Sequence, residues 1–225
     1  GDPERGGELG LGDIDLNTDV TQIFSSELSF AALKSDGSVF SWGTIDWTPD
    51  IQNVVDISST VGAFAALKND GSVVAWGQKN AGGQPAVFHG TNWSDGNPLG
   101  DSALTSGVNK VFSTDKAFAA LKDDGSVITW GHADSGGDIS EISSSLSSGV
   151  SNIYSTEQAF AALKTDGSVI TWGGSGDGQW AFGTDYGGDS SLVSSSLING
   201  VNKIFTTSQA FAALKDDGSV ITWGA

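Results

Sequence analysis

The chain has 225 residues, of which 27 are acidic and 10 are basic, so its formal net charge at pH 7 is −17. It contains no cysteine, which excludes disulfide bonds, a thiol nucleophile and a cysteine-ligated metal. Its single arginine and dispersed lysines form no basic stripe, which disfavours nucleic acids and anionic membranes as partners. No apolar run is long enough for a signal peptide or a membrane span, so we expect no membrane insertion.

The chain is built on a repeat that occurs five times. Each copy contains an apolar run close to Ala-Phe-Ala-Ala-Leu-Lys, a polar residue, Asp-Gly-Ser-Val, two further residues and Trp-Gly. The copies end at the Trp-Gly pairs 42–43, 76–77, 130–131, 172–173 and 223–224. Because self-similarity at a period of about 45 residues is typical of repeat architectures such as propellers, this repeat decides the fold prediction.

Each copy predicts a β-hairpin, and the third copy shows the pattern most clearly. The Asp-Gly pair at 124–125 lies between two runs of strand-forming residues, and it favours a two-residue type I′ turn because both residues tolerate positive φ. Such a turn places Leu121 opposite Ile128, and Ala119 opposite Trp130. Both faces of this hairpin are apolar, so both need to be covered by neighbours.

A third strand precedes each hairpin, as in residues 108–112 and 201–205. Small antiparallel sheets with two apolar faces can pack face to face around a central axis, which is the arrangement of the blades in a β-propeller. The repeat length of about 45 residues suits four-stranded blades. The chain is therefore predicted to be one all-β domain, residues 1–225, that forms a five-bladed β-propeller of antiparallel four-stranded blades.

Residues 1–13 are expected to close this ring. Every Trp-Gly except the last is followed by a glycine-rich connection and a further segment, whereas only Ala225 follows the last one. The run Gly7-Glu-Leu-Gly-Leu-Gly-Asp13 is a similar segment with no copy before it. We therefore expect the N-terminal segment to complete the last blade. The same exchange between molecules would instead produce filaments.

Three of the eight tryptophans lie outside the Trp-Gly pairs, in connections of variable sequence between the copies. Aromatic side chains on the loops of a rigid scaffold are favoured anchors for a partner, because they bury a large area at small entropic cost. The alternative is that these loops fold back and the rings cover blade edges or plug the ring. The candidate residues for protein binding or self-association are Trp47, Phe88, Trp93, Trp180, Phe182 and Tyr186.

The chain has few residues that support catalysis. His89 and His132 lie in different repeats without a patterned partner, so we interpret them as loop residues and expect no enzyme activity. The Asp of each Asp-Gly pair is explained by turn geometry. Two Asp-x-Gly-Gly-Asp segments offer clustered oxygen atoms and make calcium the one cofactor considered, with the candidate ligands Asp134, Asp138, Asp185 and Asp189.

The stretch Leu121-Lys-Asp-Asp-Gly-Ser-Val-Ile-Thr-Trp-Gly131 resembles the regulator of chromosome condensation repeat family, whose members build β-propellers, usually of seven blades. Residues 7–13 are similar to the segment that follows Trp-Gly in this family, and residues 178–185 are a degraded version. Nuclear members promote nucleotide exchange on a small GTPase and contact chromatin, but no basic tail is present here, so that activity is not implied. In character the chain is closer to exported bacterial members, which include a β-lactamase inhibitor.

These features together predict a non-enzymatic propeller that binds a protein partner. We expect an extracellular or cell-surface location, because the acidic composition without cysteine suits an exported protein. The alternative is a self-assembling structural subunit of a filament or matrix, since the third and fifth copies are nearly identical over residues 107–131 and 200–224. A glycan-binding, lectin-like propeller or an enzyme inhibitor is a further alternative.

Overall fold

The computed structural model describes residues 18–45, 48–83, 103–174 and 186–225, which form fifteen β-strands in five antiparallel sheets. Each sheet is built from one copy of the repeat, and this confirms the all-β prediction. Sheets 1 to 5 consist in order of β1–β3 (Val20–Ser25, Ser29–Lys34, Val39–Gly43), β4–β6 (Val54–Ser59, Ala63–Lys68, Val73–Gly77), β7–β9 (Val108–Ser113, Ala117–Lys122, Val127–Gly131), β10–β12 (Val150–Ser155, Ala159–Lys164, Val169–Gly173) and β13–β15 (Val201–Thr206, Ala210–Lys215, Val220–Gly224).

The register of each hairpin corrects the prediction by one residue. In sheet 3, Leu121 pairs with Val127 instead of Ile128, and Trp130 pairs with Phe118 instead of an alanine. A slip of one residue moves every side chain of the second strand to the opposite face. The indole ring of Trp130 therefore stacks on the ring of Phe118, with 5.2 Å between the centroids.

The turn geometry explains this difference. The N–H of Gly125 donates to the C=O of Lys122 at 2.9 Å, and the N–H of Lys122 donates to the C=O of Ser126 at 2.9 Å. Within this turn the positive φ, +76°, belongs to Gly125 alone, so the loop is a type I turn that ends in a left-handed glycine. The Asp124 carboxylate accepts hydrogen bonds from the N–H and the hydroxyl of Ser126, which stabilise the turn.

The five sheets stack in chain order, and each contact buries one face of each neighbour. We call the face towards the next sheet the leading face, the opposite one the trailing face, and each contact a joint. Sheet 3 has Ala117, Ala119, Leu121 and Val127 on its leading face, and Val108, Val111, Phe118, Ala120, Ile128 and Trp130 on its trailing face. Four hydrophobic clusters of this kind join sheets 1 and 2, 2 and 3, 3 and 4, and 4 and 5.

The segment between two sheets, which we call a connector, takes the place of the expected fourth strand. In three sheets the first valine of the third strand donates its N–H to the C=O of a buried connector leucine at 2.9 Å; the pairs are Val73–Leu104, Val127–Leu146 and Val169–Leu197. The connectors also form short 3-10 turns at Lys79–Ala81, Ala133–Ser135 and Ser191–Ser196. The described sheets thus have three strands instead of four, because serine- and glycine-rich sequence favours turns. No helix in the described ranges is long and apolar enough to cross a membrane.

The two outer faces of the stack are open in the described part of the chain. Ile23 on the trailing face of sheet 1 is 63% exposed, and Val220 on the leading face of sheet 5 is 59% exposed, whereas the equivalent Ile153 and Val127 are buried. Among the described residues no cluster of buried side chains joins sheet 5 to sheet 1. Blade number and ring closure therefore stay predictions, and residues 1–13, which we expect to close the ring, lie outside the described residues.

Candidate functional site: the axial mouth

The turns between the first and second strands of the five sheets meet at one opening, which we call the axial mouth. The first strands of neighbouring sheets contact one another, so the turns that follow them lie at the same end of the stack. The opening has a volume of about 510 Å³ and faces solvent. All five sheets line it, through residues 25–27, 59–61, 113–115, 155–157 and 207–208.

A series of backbone hydrogen bonds holds the rim of the axial mouth. In sheets 1 to 4 the third turn residue donates its N–H to the C=O of the equivalent residue in the next sheet, at 2.7–3.3 Å, and the series runs from Glu27 through Val61, Asp115 and Glu157 to Ser208. Because backbone atoms make these bonds, the side chain at this position can differ from sheet to sheet. The rim is a fixed backbone frame that presents variable side chains.

Buried threonines connect this rim to the connectors. In sheets 2 to 4 the second turn residue donates its hydroxyl to a connector carbonyl at 2.8–2.9 Å; the pairs are Thr60–Ala81, Thr114–Ser135 and Thr156–Tyr186. The hydroxyls of Thr114 and Thr156 also accept the N–H of the residue that opens the second strand. These hydroxyls are therefore occupied in holding the turn, and a partner at the mouth would meet the third turn residue instead.

Three carboxylates and one ammonium group determine the charge at the mouth. Glu27, Asp115 and Glu157 line the opening, and Lys116 follows in the turn of sheet 3. Partial burial raises the pKa of Asp115 above its ordinary value, and the negative charges of Glu157 and Glu27 raise it further, while Lys116 opposes the shift. The carboxylates repel one another, so a cationic group from outside would relieve this repulsion.

In sheets 3 to 5 the connector fastens the sheet to the one before it through a glycine. The indole N–H of the repeated tryptophan donates to this glycine's C=O at 3.0–3.1 Å; the pairs are Trp130–Gly82, Trp172–Gly136 and Trp223–Gly187. A Cβ atom at Gly136 would lie 2.6 Å from the ring of Phe160, so the close approach requires glycine. The tryptophans of these Trp-Gly pairs are buried and structural.

Of the six aromatic residues predicted to bind a partner, Tyr186 lies in the described part of the chain. Its side chain is partly buried against the cluster between sheets 4 and 5, and its C=O accepts the hydroxyl of Thr156. Tyr186 is therefore beside the axial mouth, where Ala81 and Ser135 lie in the other connectors. The other five lie outside the described residues, and their role stays a prediction: Trp47, Phe88, Trp93, Trp180 and Phe182.

The described calcium candidates do not come together. Asp138 and Asp189 occupy equivalent positions in connectors of different sheets, and each accepts the N–H of the serine two residues further on at 2.8 Å. Asp134 lies 4.0 Å from Nδ1 of His132, while Asp185 and His89 lie outside the described residues. In the described ranges no three potential ligands are close enough to hold a metal ion. Calcium binding stays a prediction.

The axial mouth itself was missed by sequence reasoning. Its residues follow the first strand of each copy as two hydroxyl residues and one variable residue, as in Ser113-Thr-Asp and Ser155-Thr-Glu. This short pattern was the available signal, and a carboxylate in three of the five copies made it notable. Its importance depends on the stacking of the sheets, which brings turns together that are far apart in sequence.

Comparisons with known proteins support the fold. No protein-family model and no curated protein matches the chain. Among solved structures, it is similar to yeast RCC1 (Prp20) bound to Kap60, with a TM-score of 0.51 and 16% identity over 91% of this chain and 56% of that one. It is also similar to the ectodomain of the receptor kinase CR4 from Physcomitrella patens, with a TM-score of 0.50 and 13% identity over 92% of this chain and 50% of that one. The similarity to human WBSCR16 has a TM-score of 0.50 and 19% identity over 91% of this chain and 61% of that one.

These similarities show an RCC1-like propeller fold. The sequence identities are low, so the comparison concerns the arrangement of the sheets and not the residues of a site. The chain spans about half of the length of the solved structures that it resembles.

Proposed function

We propose that the chain is a non-enzymatic β-propeller module that binds a protein partner at the axial mouth. The observation that carries this proposal is the mouth itself, an open space of about 510 Å³ that is framed by backbone bonds and rimmed by three carboxylates. Small-molecule sites are usually enclosed and mostly apolar, so an open and polar opening suits a protruding protein segment better. Yeast RCC1, which has the same kind of fold, was solved in complex with the protein Kap60.

The partner is expected to present lysine or arginine side chains. Glu27, Asp115 and Glu157 place three negative charges at one opening, and the pKa of Asp115 is raised by its partial burial and further by the charges of Glu157 and Glu27. A cationic side chain between them would replace repulsion by attraction. The net charge of −17 would also steer a basic partner towards the chain.

A hexalysine peptide tests this proposal, with binding measured by isothermal titration calorimetry. The mouth variant replaces its three carboxylates together, as Glu27→Gln, Asp115→Asn and Glu157→Gln. The control variant removes the same number of charges elsewhere, as Asp123→Asn, Glu141→Gln and Asp216→Asn. We expect the mouth variant to weaken binding at least about tenfold and the control to change it by about twofold or less. Equal weakening by both variants would show that the peptide responds to net charge alone, and the mouth would not be the site.

The remaining parts of the proposal are supported by composition and by the open faces of the stack. We propose an extracellular or cell-surface location and no catalysis, because the chain is acidic, lacks cysteine and has few reactive side chains. We also propose that the five sheets are five blades, the last of which is completed by an N-terminal segment. A self-assembling structural subunit is the second candidate function, and the exposure of Ile23 and Val220 on the two outer faces favours it.

A further inference from the structure

The first strand of each sheet lies at the axis of the stack and leads into the axial mouth. The first strands of neighbouring sheets contact one another, and in sheets 1 to 4 they end at residues that line the mouth, as β10 does at Ser155. The residue just before this end is aromatic in four of the five sheets; these residues are Phe24, Phe112, Tyr154 and Phe205. None of the four side chains is fully buried. The axis next to the mouth therefore carries a row of partly exposed aromatic rings.

In sheets 3 and 5 a cation from the same strand already covers the ring. The ammonium group of Lys110 lies 4.9 Å from the centroid of the Phe112 ring, and that of Lys203 lies 4.8 Å from the centroid of the Phe205 ring. Each lysine precedes its ring by two residues, which places both side chains on the same side of the strand. Because the face of an aromatic ring attracts an ammonium group, this position in the strand holds a cation.

In sheets 1 and 4 the lysine is replaced and the ring face has no cation. Gln22 and Asn152 occupy the equivalent positions. In the described part of the chain, no ammonium group lies over the ring of Phe24 or Tyr154. Both side chains are partly exposed and pack against the hydrophobic clusters between sheets 1 and 2 and between sheets 4 and 5. These two rings are therefore held in place and can accept a cation from another molecule.

The same two sheets place a glutamate at the third turn position of the mouth. Glu27 follows Phe24 by three residues, and Glu157 follows Tyr154 by three. The N–H groups of the two glutamates are held in the rim by bonds of 3.3 and 2.9 Å to the next sheet. The other three sheets have no glutamate there; their third turn residues are Val61, Asp115 and Ser208. A ring without its own lysine and a glutamate at the rim thus occur together, in sheets 1 and 4.

We propose that these two sheets form equivalent subsites for basic side chains, an inference that rests on the proposed binding function of the axial mouth. One subsite consists of Phe24 and Glu27, and the other consists of Tyr154 and Glu157. In each, the glutamate accepts a hydrogen bond from a lysine or arginine side chain of the partner, while the charged end or the methylene stem of that side chain lies against the ring. The partner is therefore a protein segment with at least two basic side chains, which connects sheets 1 and 4 across the mouth.

Supplying the missing lysines tests the subsites, with hexalysine and isothermal titration calorimetry. The double variant Gln22→Lys and Asn152→Lys should place an ammonium group on each open ring, as the lysines of sheets 3 and 5 do. Its control, Leu192→Lys with Ile198→Lys, adds the same two charges at exposed positions of the connector before sheet 5. We expect the first variant to weaken hexalysine binding at least about tenfold and the control to change it by about twofold or less.

Removal of the rings gives an independent measurement. The double variant Phe24→Leu and Tyr154→Leu keeps an apolar side chain in each cluster but no ring face, so hexalysine should bind about five- to thirtyfold more weakly. Phe112→Leu with Phe205→Leu is the matched control, because lysines of the same strands already cover these rings, and it should change binding by about twofold or less. Thermal unfolding checks that each variant is folded at the temperature of the titration. If the ring variant is not folded, the lysine variant decides, since it leaves the packed rings unchanged.

The outcomes distinguish the subsites from the proposed function. If hexalysine does not bind the parent, or if the variant without the three mouth carboxylates binds it like the charge control, the proposed function fails and the subsites fail with it. If the mouth carboxylates are required but the folded lysine variant or the folded ring variant binds hexalysine like its own control, the mouth remains the binding site and the two subsites are refuted.

Discussion

Alanine at the turn glycine of two nearly identical repeats measures what a joint contributes to stability. Gly125 in sheet 3 and Gly218 in sheet 5 occupy the same turn, with φ values of +76° and +84°. Alanine pays about 1–2 kcal/mol for this left-handed conformation at either position. The surroundings differ. A Cβ atom at Gly125 would lie 2.8 Å from the backbone nitrogen of Gly149, whereas a Cβ atom at Gly218 would have no described atom within 4 Å.

Gly218→Ala is therefore expected to lower the free energy of unfolding by about 1–2 kcal/mol through backbone strain alone. Gly125→Ala is expected to lower it by about 2–5 kcal/mol, because overpacking against the next sheet adds about 1–3 kcal/mol. Urea denaturation, at a protein concentration where both variants are monomeric, measures the two free energies of unfolding. They can be compared if the unfolding free energies of the two variants depend on urea concentration with similar slopes. Equal losses for the two variants would refute the joint as the source of the difference.

Two further predictions concern the threonine bond and the crowded carboxylates at the axial mouth. Thr114→Val leaves the buried C=O of Ser135 without its donor. It should therefore lower the free energy of unfolding by about 1–3 kcal/mol, as measured by thermal unfolding. Thr207→Val, at the exposed equivalent position in sheet 5, should cost less, and equal costs would contradict a role for the connector bond. Asp115 has a raised pKa, so its ionised form destabilises the fold at neutral pH, and this penalty disappears as the pH falls through the folded-state pKa. Asp115→Asn should therefore raise Tm at about pH 7 and not at about pH 3, and an equal gain at both would be inconsistent with this cause.

The sequence was sufficient to predict the stacked sheets but not the hairpin register. The apolar character of both faces correctly indicated that a sheet is covered on both sides, as sheets 2, 3 and 4 are. An Asp-Gly pair fits both a two-residue type I′ turn and a type I turn that ends in a left-handed glycine. The residue that decides between them is Ser126, because its N–H and hydroxyl bond to Asp124 and hold that residue outside the positive-φ region.

The axial mouth could not be predicted for a different physical reason. Asp115 and Glu157 lie in separate repeats, and their charges become neighbours only when successive joints bring the turns to one end of the stack. The connectors were also predicted to supply a fourth strand, although in three of them a single leucine, such as Leu146, accepts a hydrogen bond from the sheet edge. Local patterns identify turns and strands, whereas the distance between turns depends on how the sheets pack.

The asymmetry of each sheet has a consequence at the level of the gene. One repeat with its connector encodes a leading face, a trailing face and the glycine that fastens it, so any two repeats can be adjacent. Unequal recombination can therefore add or remove whole repeats without creating a mismatched contact. The near-identity of residues 107–131 and 200–224 is the pattern that such an exchange would produce. The number of repeats can then change by gain or loss of whole repeats, while the contacts between neighbouring sheets stay the same.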